Sequence, residues 1–172
     1  PLTPDSPNPA AILQGLGHIN VASPSSAADA ATLLSAALSD GGVTVLLEPI
    51  VILAETGGAA GEPHLGRARL VQSGDHVTIA AWGQGVEAAT KAASTLLGEG
   101  ISAEVIDLRS LMPLDTETLS ASVNKTGRLI LVDGEAEMLK IATEASFTRL
   151  ESPPALANAS TITSMARAAV LY

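Results

Sequence analysis

The sequence predicts an α/β fold, a three-layer sandwich with helices on both faces of its sheet. Three observations carry this. Short β-prone runs alternate with helical runs from residue 19 to residue 132. Apolar side chains inside the helical runs recur at i, i+3 and i+4. Glycines stand where each helix should stop, which gives the strand–helix–strand rhythm of a parallel sheet.

Each element follows from its residues. PLTPDSPNP at the start has four prolines and cannot be helix or central strand. Ala10 to Leu16 reads as a helical turn, and Ile19 to Ala22 as a short buried strand. Ser25 and Ser26 precede a helix with Ala30, Leu33, Leu34, Ala37 and Leu38 on one stripe, and Asp40-Gly41-Gly42 stops it. Val43 to Glu48 is a strand, so residues 18–48 form a strand–helix–strand unit with a right-handed crossover. Residues 54–63 (AETGGAAGEP) read as a linker, which divides the chain into regions 1–53 and 64–172.

In the second region Arg67 to Gln72 reads as an edge strand, Ser73-Gly74-Asp75 as a turn and His76 to Ala81 as a strand. The next helix places Val86, Ala89, Ala93 and Leu96 on one face. Ala103 to Leu108 is a strand, and Pro113 forbids a long helix before it. Asp115 is an N-cap for a helix from Thr116 to Val123, Gly127 ends that helix, and Arg128 to Val132 is a strand. Ala136 to Leu150 is expected to be the last helix, and Thr161 to Thr163 and Ala168 to Leu171 short strands.

Composition narrows the chemistry. The 172 residues are 47% hydrophobic with one Phe, one Trp and one Tyr, so small aliphatic side chains must fill the core. So few rings, and 18 acidic against 9 basic residues, argue against nucleic-acid binding. Without cysteine there are no disulfides or thiolate metal sites. The apolar runs are too short to cross a bilayer. The expected location is the cytoplasm, with the mitochondrial matrix as the alternative.

Several phrases carry a resemblance: LGRARLV (Leu65 to Val71), VTIAAWGQGVEAA (Val77 to Ala89), EVIDLRSLMPLD (Glu104 to Asp115) and VNKTGRLILVDGE (Val123 to Glu135). Together they resemble the transketolase C-terminal-like domain, and within that superfamily the beta subunit of the thiamine diphosphate-dependent component of 2-oxo acid dehydrogenases. Val21 to Pro49 is similar to the back half of that subunit's pyrimidine-binding α/β domain. The resemblance implies oxidative decarboxylation of pyruvate or a branched-chain 2-oxo acid, with acyl transfer to a lipoyl group. It implies thiamine diphosphate and Mg2+ held with an alpha subunit, and as partners that alpha subunit, a second beta subunit and an acyltransferase core.

The family's activating glutamate and active-site histidine have no counterpart in these residues, and the glycine-rich segment after the strand-end glutamate is missing after Glu135. The expectation is a truncated product, one half of a split enzyme or a sequence lacking segments. By itself it should not decarboxylate a substrate, and no catalytic or thiamine-binding residue is assigned. Assembly and subunit interface are its expected contribution. A non-catalytic module docking the acyltransferase core and a split transketolase-like enzyme acting on sugar phosphates are the alternatives.

The resemblance also implies a structural K+ site at Ala37, Leu38, Asp40 and Gly42, against the plain reading of an Asp-Gly-Gly helix stop. Arg109 is implied at a subunit interface; read from the residues alone, Asp107 and Arg109 make an ion pair or loop anchor. Trp82-Gly83-Gln84-Gly85 lacks the third glycine of a dinucleotide fingerprint, with Ala88 in its place, and reads as a tight packing turn. Asp133 and Glu135 read as solvated loop carboxylates, and Glu87 and Lys91 as a surface pair. His18, His64 and His76 have no metal-ligand spacing.

Overall fold

The computed structural model of the chain describes Leu13 and residues 17–54, 64–132, 148–151 and 158–171. Along these residues run β1 (Ile19–Ala22), α1 (Ala27–Asp40), β2 (Val43–Leu46), a 3-10 helix (Ile50–Ala54), β3 (Arg69–Gln72), β4 (Val77–Ala81) and α2 (Gly85–Leu97). They continue with β5 (Ala103–Asp107), β6 (Ser110–Met112), α3 (Thr116–Thr126), β7 (Arg128–Leu131), β8 (Thr148–Glu151) and α4 (Ala159–Leu171).

The strands make two sheets, ordered β2-β1-β6 and β3-β5-β4-β7-β8. In the larger sheet β5, β4, β7 and β8 are parallel, and β3 runs antiparallel along β5. In the smaller sheet β1 and β2 are parallel around the α1 crossover, and β6 lies antiparallel on β1. That last pairing places a strand from after β5 in the first sheet, so the two sheets share one polypeptide seam.

Every residue of β4 and β5 is buried, as parallel strands covered on both faces require. On one face α2 and α4 pack together, and Ala89, Ala93, Leu96, Ile162 and Ala166 meet Ile79 and Val105. On the other face α3 brings Leu119 and Val123 against Ala80, Ile106 and Leu129, a cluster that also takes in Val21 and Trp82. The alanines let helix and sheet approach closely, and each fully buried Leu or Ile contributes about 1.5–3 kcal/mol. The predicted face of α2 is the buried one.

The caps explain the helix limits. Ser26 Oγ accepts from the Asp29 N–H at 3.2 Å at the start of α1. Asp115 Oδ1 accepts from the Thr118 N–H at 3.0 Å at the start of α3. Helix α3 runs three residues beyond Val123, to Thr126, before the Gly127 N–H closes on the Val123 carbonyl at 2.7 Å.

Two expectations need correction. Thr161–Thr163 and Ala168–Leu171 lie in one helix, α4, not in short strands. Asn158 starts it by accepting from the Thr161 N–H at 3.0 Å, Thr163 Oγ1 donates back to the Ala159 carbonyl, and burial against α2 overrides the strand preference of the β-branched residues. Thr148 to Leu150, expected at the end of a helix, is strand, paired with β7. The rest of that helix, most of Ala10 to Leu16, and residues 55–63 lie outside the described residues. β6 and the 3-10 helix were not foreseen. No described helix is long and apolar enough to cross a membrane.

Candidate functional site

In an open parallel sheet, ligands collect beyond the carboxyl ends of the strands, where the strand order reverses. Here that point is the end of β4, flanked by β5 and β7. The chain turns there through Trp82 and Gly83, with the Gly85 N–H donating to the Trp82 carbonyl at 3.0 Å. Gly83 has φ +50°, and a Cβ on it would stand 2.9 Å from Ser23 Oγ and 3.2 Å from Pro49 Cγ. The turn at the end of β4 therefore packs closely against Ser23 and Pro49. The glycine turn is a packing device.

The end of β5 carries the most concentrated polar chemistry. Asp107 is fully buried, and its Oδ2 accepts from Ser25 Oγ and from an Arg69 Nη2, each at 2.7 Å. Its Oδ1 accepts from the Arg109 N–H at 3.2 Å. Arg109 has φ +54° and turns its side chain to Asp29 in the first turn of α1. Arg109 Nε lies 2.6 Å from Asp29 Oδ1, off the hydrogen-bonding direction, so the contact is a charge pair. Asp29 Oδ2 accepts from the Ser25 N–H at 3.2 Å, and the Arg109 carbonyl accepts from the Ser23 N–H at 2.8 Å. Burial, and then the Asp29 charge, push the Asp107 carboxyl above its ordinary range, although Ser25 and Arg69 pull the other way. Five side chains, from α1, the residue before its cap, β3, β5 and the turn after β5, thus form a charge-balanced clasp between the two halves.

A second polar feature is a cleft of about 580 Å³ between β3 and α3, lined by Arg67, Leu70, Glu104, Glu117, Ser122 and Lys125. Glu104 pairs there with Lys125 and accepts from the Gly74 N–H at 3.3 Å. Burial opposes its charge, but Lys125, Ser122 and Gly74 outweigh burial and hold its carboxyl below the ordinary range. Its acid is already committed to structure.

At the turn from α1 to β2, Gly41 takes the left-handed conformation with φ +73°. Asp40 Oδ2 accepts from Asn20 Nδ2 at 2.9 Å and lies 2.9 Å from where a Gly42 Cβ would be. Ala37 and Leu38 fall in the last turn of α1, where carbonyls lack helical partners. The turn thus places Asp40, already bonded to Asn20, next to the end of α1. His76 Nδ1 accepts from the Ser102 N–H at 2.9 Å and serves a turn. Glu87 and Lys91 pair on the surface. Among the described residues no group of three His, Cys, Asp or Glu side chains could hold a metal ion. Asp133 and Glu135 lie outside the described residues.

Ser25, Asp29, Arg69 and Glu104 were not singled out from the sequence. Ser25 and Asp29 bracket a helix start and carry only a capping signal, and their partners lie far along the chain.

The family model for the transketolase C-terminal domain matches residues 66–169. The pyruvate dehydrogenase E1 component subunit beta of Acholeplasma laidlawii is 37% identical over 147 residues, which is 79% of this chain and 45% of that protein. The mitochondrial subunit beta-1 of Arabidopsis thaliana is 39% identical over 149 residues, 78% of this chain and 41% of that protein. The beta subunit of the acetoin:2,6-dichlorophenolindophenol oxidoreductase of Cupriavidus necator is 47% identical over 81 residues, 47% of this chain and 24% of that protein. The chain spans less than half the length of these relatives. Among solved structures, one described as a split gene transketolase, inactive beta4 tetramer, superposes with a TM-score of 0.77 at 25% identity, over 94% of this chain and 61% of that one. A Pichia stipitis transketolase shares the fold, with a TM-score of 0.67 at 15% identity over 98% of this chain and 28% of that one.

Proposed function

The chain belongs to the transketolase C-terminal domain family, and from that membership we propose that it serves as part of the beta subunit of a thiamine diphosphate-dependent 2-oxo acid dehydrogenase. The observation that carries this reading is the 37–39% identity to pyruvate dehydrogenase beta subunits over nearly four-fifths of the chain. The split transketolase lies further away, at 25% identity. The role proposed is assembly. The carboxyl-end crevice is packed by Ser23 and Pro49, and the Asp107–Arg69 and Asp29–Arg109 contacts brace that packing.

In the assembled enzyme thiamine diphosphate and Mg2+ supply the decarboxylation chemistry, and no residue of this chain is assigned to hold them. Ala37, Leu38, Asp40 and Gly42 would hold a structural K+, with Asp40 giving the charge and the α1 carbonyls the neutral ligands. The ion would stiffen the turn into β2 and take no part in the reaction. Arg109, through its clasp with Asp29, would fix the surface presented to an alpha subunit and to a second beta subunit.

Size-exclusion chromatography of the chain mixed with the alpha subunit from the same organism tests this. A shared peak is expected, together with no calorimetric binding of thiamine diphosphate and Mg2+ to the chain alone. Failure to co-elute, or tight cofactor binding without the alpha subunit, overturns the reading.

A further inference from the structure

We draw no further inference here: the strongest candidate, the cleft of about 580 Å³ between β3 and α3, carries nothing, because its buried acid Glu104 is already engaged by Lys125 and Gly74 and nothing in the structure shows what covers its rim at Gly66 and Arg67.

Discussion

Arg109 Nε and Asp29 Oδ1 stand 2.6 Å apart with both side chains withdrawn from solvent, and they join the turn after β5 to the first turn of α1. Arg109 accepts a left-handed backbone, φ +54°, to reach this position. That conformation is costly for a residue with a Cβ, so the contact must repay it. Beside it the Asp107–Ser25–Arg69 cluster holds the same seam from β3.

Breaking the buried pair on one side strands a charge. Arg109→Ala or Asp29→Ala should each cost about 3–5 kcal/mol. Replacing both, as Asp29→Leu with Arg109→Met, should cost clearly less than either alone because no charge stays behind. Urea unfolding followed by fluorescence reads this directly, since Trp82 is the one tryptophan and lies in the seam cluster.

Asp107 gives a pH signature of defined sign. Its carboxyl sits above the ordinary range, so the folded chain binds that proton more tightly than the unfolded chain. Its contribution to stability is then greatest in acid and falls as pH rises from the ordinary aspartate value of about 3.9 towards the folded one. Glu104 and Asp115 are lowered and act oppositely, adding stability above the ordinary carboxylate range and losing it as pH falls through their folded values. The stability of the native chain minus that of Asp107→Asn should therefore decline as pH rises above the ordinary aspartate value of about 3.9. A difference that climbs over that range contradicts the assignment.

The fold was legible where local pattern and tertiary packing agree. Val86, Ala89, Ala93 and Leu96 form the predicted face and are all buried. Asp115 announced its helix because capping is a local event. Thr161 to Thr163 misled, because β-branched residues favour strands until a neighbouring helix buries them, and Asn158 was the overlooked start signal. On α1 the apolar stripe was visible, but nothing in it told that Leu33 would be buried and Leu38 left exposed. The seam was beyond reach for another reason. Ser25 and Asp107 lie 82 residues apart, so no spacing rule links them. Of the two readings of Asp107 and Arg109, ion pair or loop anchor, the ion pair is corrected: Arg109 gives only its N–H to Asp107 and its guanidinium to Asp29, while Asp107 pairs with Arg69.

Gly83 tests whether the crevice is closed by packing. Gly83→Ala forces a side chain into the left-handed region, worth about 1–2 kcal/mol, and sets its Cβ 2.9 Å from Ser23 Oγ. The loss should exceed the backbone term alone, and Trp82 emission should shift to the red as the seam loosens. Unchanged stability and emission would show that the crevice has room to spare.

Thr78 carries a hydroxyl into the apolar layer under α3, and the physical question is whether the bonds there act as a unit. Its Oγ1 lies 2.8 Å from Ser122 Oγ and 2.7 Å from Thr126 Oγ1, all of them buried. Thr78→Val keeps the shape and removes the shared partner. Thr126 keeps a bond to the Arg128 carbonyl at 3.1 Å, and Ser122 keeps its bond to the Glu104 carboxylate, so neither hydroxyl is left without a partner. The expected cost is about 1–3 kcal/mol. Ser122→Ala in the native background should also destabilise, but in the Thr78→Val background it should cost at least about 0.5 kcal/mol less, because the partner is already gone. A double-mutant cycle by urea unfolding measures this coupling. Strict additivity would mean that the hydroxyls are satisfied separately and do not act as a unit.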